Sequence, residues 1–303
     1  MRRIRALVAS TIAAAAILIA TVPVPASAAQ NGRIAFSRFG RQLRNSQIFT
    51  MLPDGSDMTR LTFTRTDNDS PAWSSDGSRI VFVRVGREGV GARLMSMDAD
   101  GTARTVVLRE RRSVERPDWF PDGTRILFCL AGVNYRLFVV GADGSGLTMV
   151  GKRRSCDAAI SPDGSKIAFV RFDTDLRHPN VWVMNADGSG LTRITNDGHS
   201  TGPSWSPDGA RIAFIRSGGW GESEVFVMDA DGSHVSQLTA GARSKYGPTA
   251  WSPDGNLIAF HRTVYWDPYS STDVITIAPD GSNATQVTDS PGIWDNGADW
   301  QPV

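Results

Sequence analysis

Hydrophobic and polar positions alternate along this chain in short runs, and each run ends near a turn-forming pair. Runs such as Ile212-Ala213-Phe214 and Val225-Phe226-Val227-Met228 are rich in the β-branched and aromatic residues that pleated strands favour. Asp-Gly pairs separate many of the runs, and glycine adopts the left-handed backbone of tight turns without steric cost. The pattern predicts an all-β chain of short antiparallel strands.

One motif recurs along the chain, Pro-x-Trp-Ser-Pro-Asp-Gly followed by Ile-x-Phe, and a truncated copy of it ends the sequence. A second motif follows each first one, and it joins a β-rich run to an Asp-Gly turn and a Leu-Thr ending. The Trp position of the first motif is occupied by Trp73, Trp119, Ile160, Trp205, Trp251 and Trp300, with spacings of 46, 41, 45, 46 and 49 residues. The Asp-Gly turns of the second motif begin at Asp54, Asp100, Asp143, Asp187, Asp231 and Asp280.

Each repeat therefore contains four predicted strands, which we label A to D. Strand A holds the Trp, strand B the Ile-x-Phe segment, and an Asp-Gly turn joins strands C and D. A four-stranded repeat of about 40–45 residues is typical of a β-propeller blade. The chain opens at a strand B, Arg33–Phe36, and closes at a strand A, Ala298–Pro302. We expect six four-stranded antiparallel blades, with a ring closed by the C-terminal strand A beside the N-terminal strands B to D.

The Trp-Ser-Pro-Asp-Gly, Ile-Ala-Phe, Asp-Gly and Leu-Thr elements resemble the propeller repeat of the TolB family, and the resemblance extends from about Gly32 to Val303. They are also similar to the propellers of prolyl oligopeptidases and of some oligogalacturonate lyases. The resemblance implies a six-bladed propeller and, for TolB, an envelope protein that binds other proteins. We expect no hydrolase domain beside the repeats, so we predict a non-catalytic protein with no cofactor.

The N-terminal segment has the features of a Sec-type signal peptide. Arg2, Arg3 and Arg5 precede an apolar stretch, and Ala26-Ser27-Ala28 offers a small-x-small cleavage site. We expect residues 1–28 to be removed, leaving a propeller domain of residues 29–303 with no membrane span. Loss of three arginines would change the formal charge from +1 to −2, which argues against nucleic-acid binding. We therefore predict a secreted, periplasmic or cell-envelope protein.

Strand order places the A–B and C–D turns on one face, the turn face, and the longer B–C and D–A loops on the opposite face, the loop face. Varied loops on a rigid frame are typical of a binding surface. Five strands B end in an arginine, and Leu130 takes the sixth place. These arginines either form a cationic ring for an anionic partner or pair with loop carboxylates such as Asp69, Glu115 or Asp157. They are Arg38, Arg84, Arg171, Arg216 and Arg262.

Aromatic residues and channel-mouth residues complete the predicted binding surface. Tryptophan and tyrosine anchor protein interfaces and stack on sugars, but they also cover blade edges. The B–C loop aromatics are Trp220, Tyr265, Trp266 and Tyr269, and the predicted channel-mouth residues are Asp69, Glu115, Asp157, His199, Tyr246 and Asp295. We predict no metal site, because the four histidines show no ligand-pair spacing. The Asp-x-Asp-Gly stretches lack the rest of an EF-hand loop and are expected to be turns.

Cys129 and Cys156 are the only cysteines, and both are expected near the loop face on adjacent blades. A disulfide between them requires a Cα separation below about 7 Å.

Taken together, the sequence predicts a monomeric propeller that binds an envelope or extracellular protein through its loop face. The alternative is a carbohydrate-binding or polysaccharide-lyase-like propeller that acts at the channel mouth. A purely structural envelope protein is the third hypothesis.

Overall fold

The computed structural model describes residues 31–40, 43–86, 91–132, 134–151, 154–173, 177–218, 222–240, 244–264 and 270–303. Within these ranges the regular structure consists of β-strands, with no helix, which confirms the all-β class. The described residues contain no helix long and apolar enough to cross a membrane. Residues 1–28, the predicted signal peptide, lie outside the described part of the chain.

Four separate antiparallel sheets have four strands each, and in each sheet the strands follow one another in chain order. The first contains β4 (Asn68–Trp73), β5 (Arg79–Val85), β6 (Ala92–Asp98) and β7 (Thr105–Glu110). The second contains β8 (Val114–Trp119), β9 (Arg125–Leu130), β10 (Arg136–Gly141) and β11 (Thr148–Val150). The third contains β12 (Ser155–Ile160), β13 (Lys166–Arg171), β14 (Asn180–Asn185) and β15 (Thr192–Arg193). The fourth contains β16 (Ser200–Trp205), β17 (Arg211–Ser217), β18 (Ser223–Asp229) and β19 (Ser236–Gln237).

The remaining nine strands form one sheet with two parts. One part contains β20 (Ser244–Tyr246), β21 (Ala250–Trp251), β22 (Ile258–Val264), β23 (Ser271–Ile277) and β24 (Thr285–Gln286). The other part contains β1 (Ile34–Gly40), β2 (Leu43–Met51), β3 (Thr59–Arg60) and β25 (Ile293–Trp300). The two parts meet where Thr272 pairs in parallel with Trp294. Within the second part, β25 pairs antiparallel with β1, from Ile34 opposite Trp300 to Gly40 opposite Ile293.

The hydrophobic core lies between neighbouring sheets, because each sheet buries apolar side chains on both of its faces. Ile80 and Phe82 of β5, for example, share a buried cluster with Ala35 of β1 and Ile48 of β2. The phenylalanine of each Ile-x-Phe segment is almost completely buried: Phe36, Phe82, Phe128, Phe169, Phe214 and Phe260. The strand-A tryptophans are also buried, and the indole Nε1 of Trp205 donates to the carbonyl of Ala159 at 3.2 Å.

Four of the strands A contain an irregularity just before the Trp position. The pairing register shifts between Asp69 and Ala72 in β4, and the strands β8, β12 and β16 shift at the corresponding place. The residue at the shift has a positive φ: 52° at Ser70, 47° at Arg116, 53° at Asp157 and 63° at Gly202. Positive φ is unusual for residues other than glycine, and a β-bulge of this kind redirects the side chains that flank it.

The Asp-Gly turns are uniform, as the sequence predicts. The carboxylate of Asp100 accepts hydrogen bonds from the backbone nitrogen of Thr102 at 2.8 Å and from its hydroxyl at 2.6 Å. These bonds hold the pKa of Asp100 below its usual value, and the aspartates of the other five turns have a lowered pKa for the same reason. The carboxylates of these six aspartates thus accept hydrogen bonds within their own turns.

Candidate functional site

The arginines near the ends of strands B occupy the same rung of their sheets, and each lies directly opposite one residue of strand A and one residue of strand C. Arg38 lies between Asp295 of β25 and Gln47 of β2 in the register. Its Nε and Nη2 donate to the two oxygens of Asp295 at 2.6 and 2.7 Å, and Asp295 is fully buried. Two parallel bonds of this kind are the strongest geometry for an arginine–carboxylate pair.

The other four arginines have different partners. Arg216 lies 2.7 Å from Asp197 in an ion pair, and Arg84 Nε donates to Asn68 Oδ1 at 3.0 Å. The guanidinium carbon of Arg171 lies 5.0 Å from the centre of the Trp182 ring, and Arg262 Nη2 donates to Gln286 Oε1 at 2.8 Å. Within the described residues, two of the five arginines therefore pair with a carboxylate, and the carboxylates are Asp295 and Asp197 rather than Asp69, Glu115 or Asp157.

Those three carboxylates have separate surroundings. Asp69 accepts a hydrogen bond from Ser46 Oγ at 2.6 Å, and burial raises its pKa. Burial also raises the pKa of Glu115, with a further increase from the charge of Asp157 that the charge of Arg116 opposes. Asp157 accepts a hydrogen bond from Gly202 N at 2.8 Å and forms an ion pair with Arg116.

A cavity of about 390 Å³, the mouth cavity, opens where strands A and B approach the loop face. Of the six predicted channel-mouth residues, Asp157 and Tyr246 line it, and Arg116, Thr201, His261 and Thr263 contribute further polar groups. Asp69 and Glu115 do not line it, and Asp295 is buried beneath Arg38. His199 is exposed outside the cavity, and its backbone nitrogen donates to Asp197 at 2.8 Å.

His261 reaches the mouth cavity because residue 247 is a glycine. A Cβ on Gly247 would lie 1.8 Å from Cε1 of His261, so any larger residue would displace the imidazole ring. The Nδ1 atom of His261 lies 3.4 Å from the backbone nitrogen of Gly297, which can donate to it across the interface of β22 and β25. The sequence pattern gave no role to His261, whose contact with Gly297 joins strands of two different repeats.

A second cavity of about 250 Å³, the central cavity, is lined by β4, β8, β12, β16, β21 and β25. Two carboxylates in it escaped the sequence analysis. Asp118 Oδ2 accepts from Ile160 N at 2.8 Å, and Asp299 Oδ2 accepts from Trp73 N at 2.7 Å. Each bond joins one strand A to the next. Burial raises the pKa of Asp118 to about 6 and, with the added charge of Asp118, that of Asp299 to about 7.

A signal for these two residues was present in the motif. The position before the tryptophan holds Ala72, Ala159, Ser204 and Ala250 in four repeats, and an aspartate in the other two. Because successive side chains of a strand point to opposite faces of the sheet, the residue at this position and the tryptophan lie on opposite faces. The residue before the tryptophan therefore points away from the packed interface.

The sulfur atoms of Cys129 in β9 and Cys156 in β12 lie 2.12 Å apart, and their Cα atoms lie 5.2 Å apart. Glu115 approaches the pair, with Oε2 at 3.7 Å from the sulfur of Cys156. These three residues are the only described group with the composition of a metal site. Thiolates are the metal-binding form of cysteine, and two sulfurs joined in a disulfide cannot supply them.

The predicted aromatics Trp220, Tyr265, Trp266 and Tyr269 lie outside the described residues. Other aromatic residues occupy the loop-face ends of the described strands. Phe39 and Trp294 pack with ring centres 5.6 Å apart, and Tyr135 and Phe172 pack at 5.8 Å. Phe39 remains partly exposed.

Comparisons with known proteins agree with this fold. A family model described as the TolB beta propeller domain matches residues 89–302. The Tol-Pal system protein TolB of Rhizorhabdus wittichii is 43% identical over 54 residues, which cover 18% of this chain and 12% of that protein. The structure of TolB from Acinetobacter baumannii has a TM-score of 0.74 at 19% identity and covers 90% of this chain and 67% of that chain. A putative TolB from Agrobacterium tumefaciens has a TM-score of 0.68 at 20% identity, with 90% and 99% covered. The matched segments span only 12 to 16% of the curated relatives.

Proposed function

Since the chain belongs to the TolB β-propeller domain family, we propose that it is an exported, non-catalytic propeller that binds a protein partner through its loop face. In this proposal residues 1–28 are a cleaved signal peptide, and residues 29–303 form a monomeric domain of six blades in the cell envelope or outside the cell. The pairing of β25 with β1 supports ring closure by the two ends of the domain.

The mouth cavity is the observation that carries the proposal. Its polar groups come from β8, β12, β16, β20 and β22, so several repeats contribute to one concave site on the loop face. Concave sites with a few convergent polar groups on a rigid frame are the usual places of ligand binding. Arg116 and Asp157, which line the cavity as an ion pair, both have the positive φ that clusters at functional sites.

The surroundings of the cavity favour a protein partner. Partly exposed aromatic pairs such as Phe39–Trp294 supply the large, rigid contact area that interface anchors need. The predicted loop aromatics Trp220 and Trp266 would extend this surface. The turn-face aspartates, such as Asp100 and Asp143, accept hydrogen bonds within their own turns.

Cross-linking with three baits tests the proposal. The mature chain from Ala29 is incubated with extract of its own cell envelope, beside a loop-face variant, Trp220→Ala/Trp266→Ala. A matched control, Leu52→Ala/Val235→Ala, truncates two exposed apolar side chains that adjoin C–D turns on the turn face. We expect one protein to be captured by the wild type and the control but not by the loop-face variant, and to bind the mature chain directly once purified.

Capture of the same set by all three baits, or of nothing, contradicts the proposal of a protein partner. Binding of a purified acidic oligosaccharide that Tyr246→Ala abolishes would instead support the carbohydrate alternative at the mouth cavity.

A further inference from the structure

The rung that holds the strand-B arginines differs in composition from sheet to sheet. In three sheets the strand-C residue directly opposite the arginine is neutral or acidic: Gln47 opposite Arg38, Asn180 opposite Arg171 and Glu224 opposite Arg216. In the β20–β24 part of the nine-stranded sheet it is Asp273, opposite Arg262. The arginine thus faces a group that can accept its hydrogen bonds or balance its charge.

The β4–β7 sheet departs from this pattern. Arg84 of β5 is directly opposite Arg93 of β6, which is directly opposite Arg109 of β7. We call these three residues the arginine row. Directly opposite residues of antiparallel strands extend from the same face of the sheet, with Cβ atoms about 5 Å apart. Three guanidinium groups therefore lie side by side on one face, near the loop-face end of the sheet.

No carboxylate in the described parts of the chain forms an ion pair with the arginine row. The ion pairs described in this region join Glu110 to Arg112 and Asp157 to Arg116, and neither pair includes a residue of the arginine row. Arg84 Nε donates to the neutral amide of Asn68. Arg104, whose Nη2 donates to the carbonyl of Leu61 at 2.6 Å, adds a fourth positive charge. Burial, together with the charges of Arg104 and Arg93, lowers the pKa of Arg84.

Such a row is costly for a protein that has no use for it. Like charges directly opposite one another destabilise a sheet, and glutamate or asparagine would fit these surface positions, as other strands C of this chain show. Arg93 and Arg109 are exposed, so their guanidinium groups remain available to a ligand.

We propose that the arginine row binds a phosphate-bearing ligand. The planar guanidinium group matches phosphate oxygens with two parallel hydrogen bonds, and a phosphate offers oxygens to more than one guanidinium at once. A carboxylate has only two oxygens and engages a single guanidinium in this way. The adjacent guanidinium groups of the row therefore favour phosphate over an isolated acidic side chain.

Calorimetric titration of the mature chain with pyrophosphate at low ionic strength tests the assignment. The test variant Arg93→Gln/Arg109→Gln keeps the polar surface and removes two charges. The matched control Arg125→Gln/Arg193→Gln removes two charges from exposed positions on other sheets. We expect the test variant to bind about tenfold more weakly, or not at all, with the control unchanged. We also expect the test variant to melt at the same temperature as the wild type or higher, because like-charge repulsion is relieved.

Two further arms identify the source of the phosphate. Cosedimentation with vesicles of phosphatidylcholine plus phosphatidylglycerol, but not with phosphatidylcholine alone, would assign a lipid headgroup, and its absence beside pyrophosphate binding would assign a soluble phosphate compound. Equal binding of pyrophosphate by the test variant and the wild type would overturn the proposal. Displacement of pyrophosphate by polyglutamate at equal charge concentration would overturn the preference for phosphate.

Discussion

Replacing Asp299 by asparagine should stabilise the folded protein at alkaline pH and leave its stability almost unchanged at about pH 4. The carboxylate of Asp299 lies in the central cavity, where it accepts a hydrogen bond from Trp73 N at 2.7 Å. An asparagine side chain keeps an oxygen acceptor for that nitrogen but carries no charge at any pH. The substitution thus removes the charge and retains the link between β25 and β4.

The size of the effect follows from the pKa of Asp299, which is raised from 3.8 to about 7 by burial and by the charge of Asp118. Each pKa unit corresponds to about 1.4 kcal/mol, so ionisation of Asp299 costs the folded state up to about 4 kcal/mol. The folded state binds the proton more tightly than the unfolded state. Stability from this group is therefore fully present below about pH 4 and is lost as the pH rises to about 7. We expect a gain of about 2 to 4 kcal/mol for the variant at about pH 8.

Urea unfolding followed by tryptophan fluorescence measures this gain. The difference in unfolding free energy between Asp299→Asn and the wild type should rise from near zero at about pH 4 to its full value at about pH 8. Asp280→Asn serves as the control, because Asp280 lies in an exposed turn where the hydroxyl and backbone nitrogen of Ser282 lower its pKa. Its difference should stay constant over the same interval. A difference for Asp299→Asn that does not change with pH would refute the reasoning, as would lower stability of that variant at about pH 8.

The remaining predictions concern other contacts of the described strands. Arg38→Gln should lower the unfolding free energy by about 3 kcal/mol in the same assay, because it leaves the buried carboxylate of Asp295 without its cation, and Asp295→Asn in that background should restore part of the loss. Conversion of both cysteines to serine should cost about 3 kcal/mol if they are bonded, and thiol titration of the unfolded wild type should then find no free thiol; two free thiols would contradict the bond. Gly247→Ala should cost about 1 to 3 kcal/mol by thermal unfolding, because its Cβ would collide with His261, and His261→Ala should relieve most of that cost.

Local features of the fold were predictable because each repeat carries its own strand and turn signals. The Asp100 turn and the buried Phe82 are examples, since their conformations depend on neighbours within the same repeat. Because these signals repeat at almost constant spacing, the four-stranded sheets could be predicted from the sequence.

The partners of site residues were harder to predict because they come from distant parts of the sequence. The rung position of Arg38 followed from the repeat, but its partner Asp295 lies 257 positions further along the sequence. The bulges at Arg116 in β8 and Asp157 in β12 contain no glycine from which their positive φ could have been predicted. They change which side chains reach the mouth cavity. The sequence patterns therefore predicted which residues lie near the loop face but did not predict which residues they contact.

The pairing of Ile34 with Trp300 has a consequence for the time course of folding. Strand β1 cannot acquire its β25 neighbour until nearly all of the described chain is available, so that contact is among the most non-local in the molecule. Until then β1 presents an unpaired edge that can recruit another chain, which is a recognised route to aggregation. The vulnerable interval for this protein is the one between emergence of its first strand and arrival of its last, and a chaperone that shields β1 during that interval would act where protection matters most.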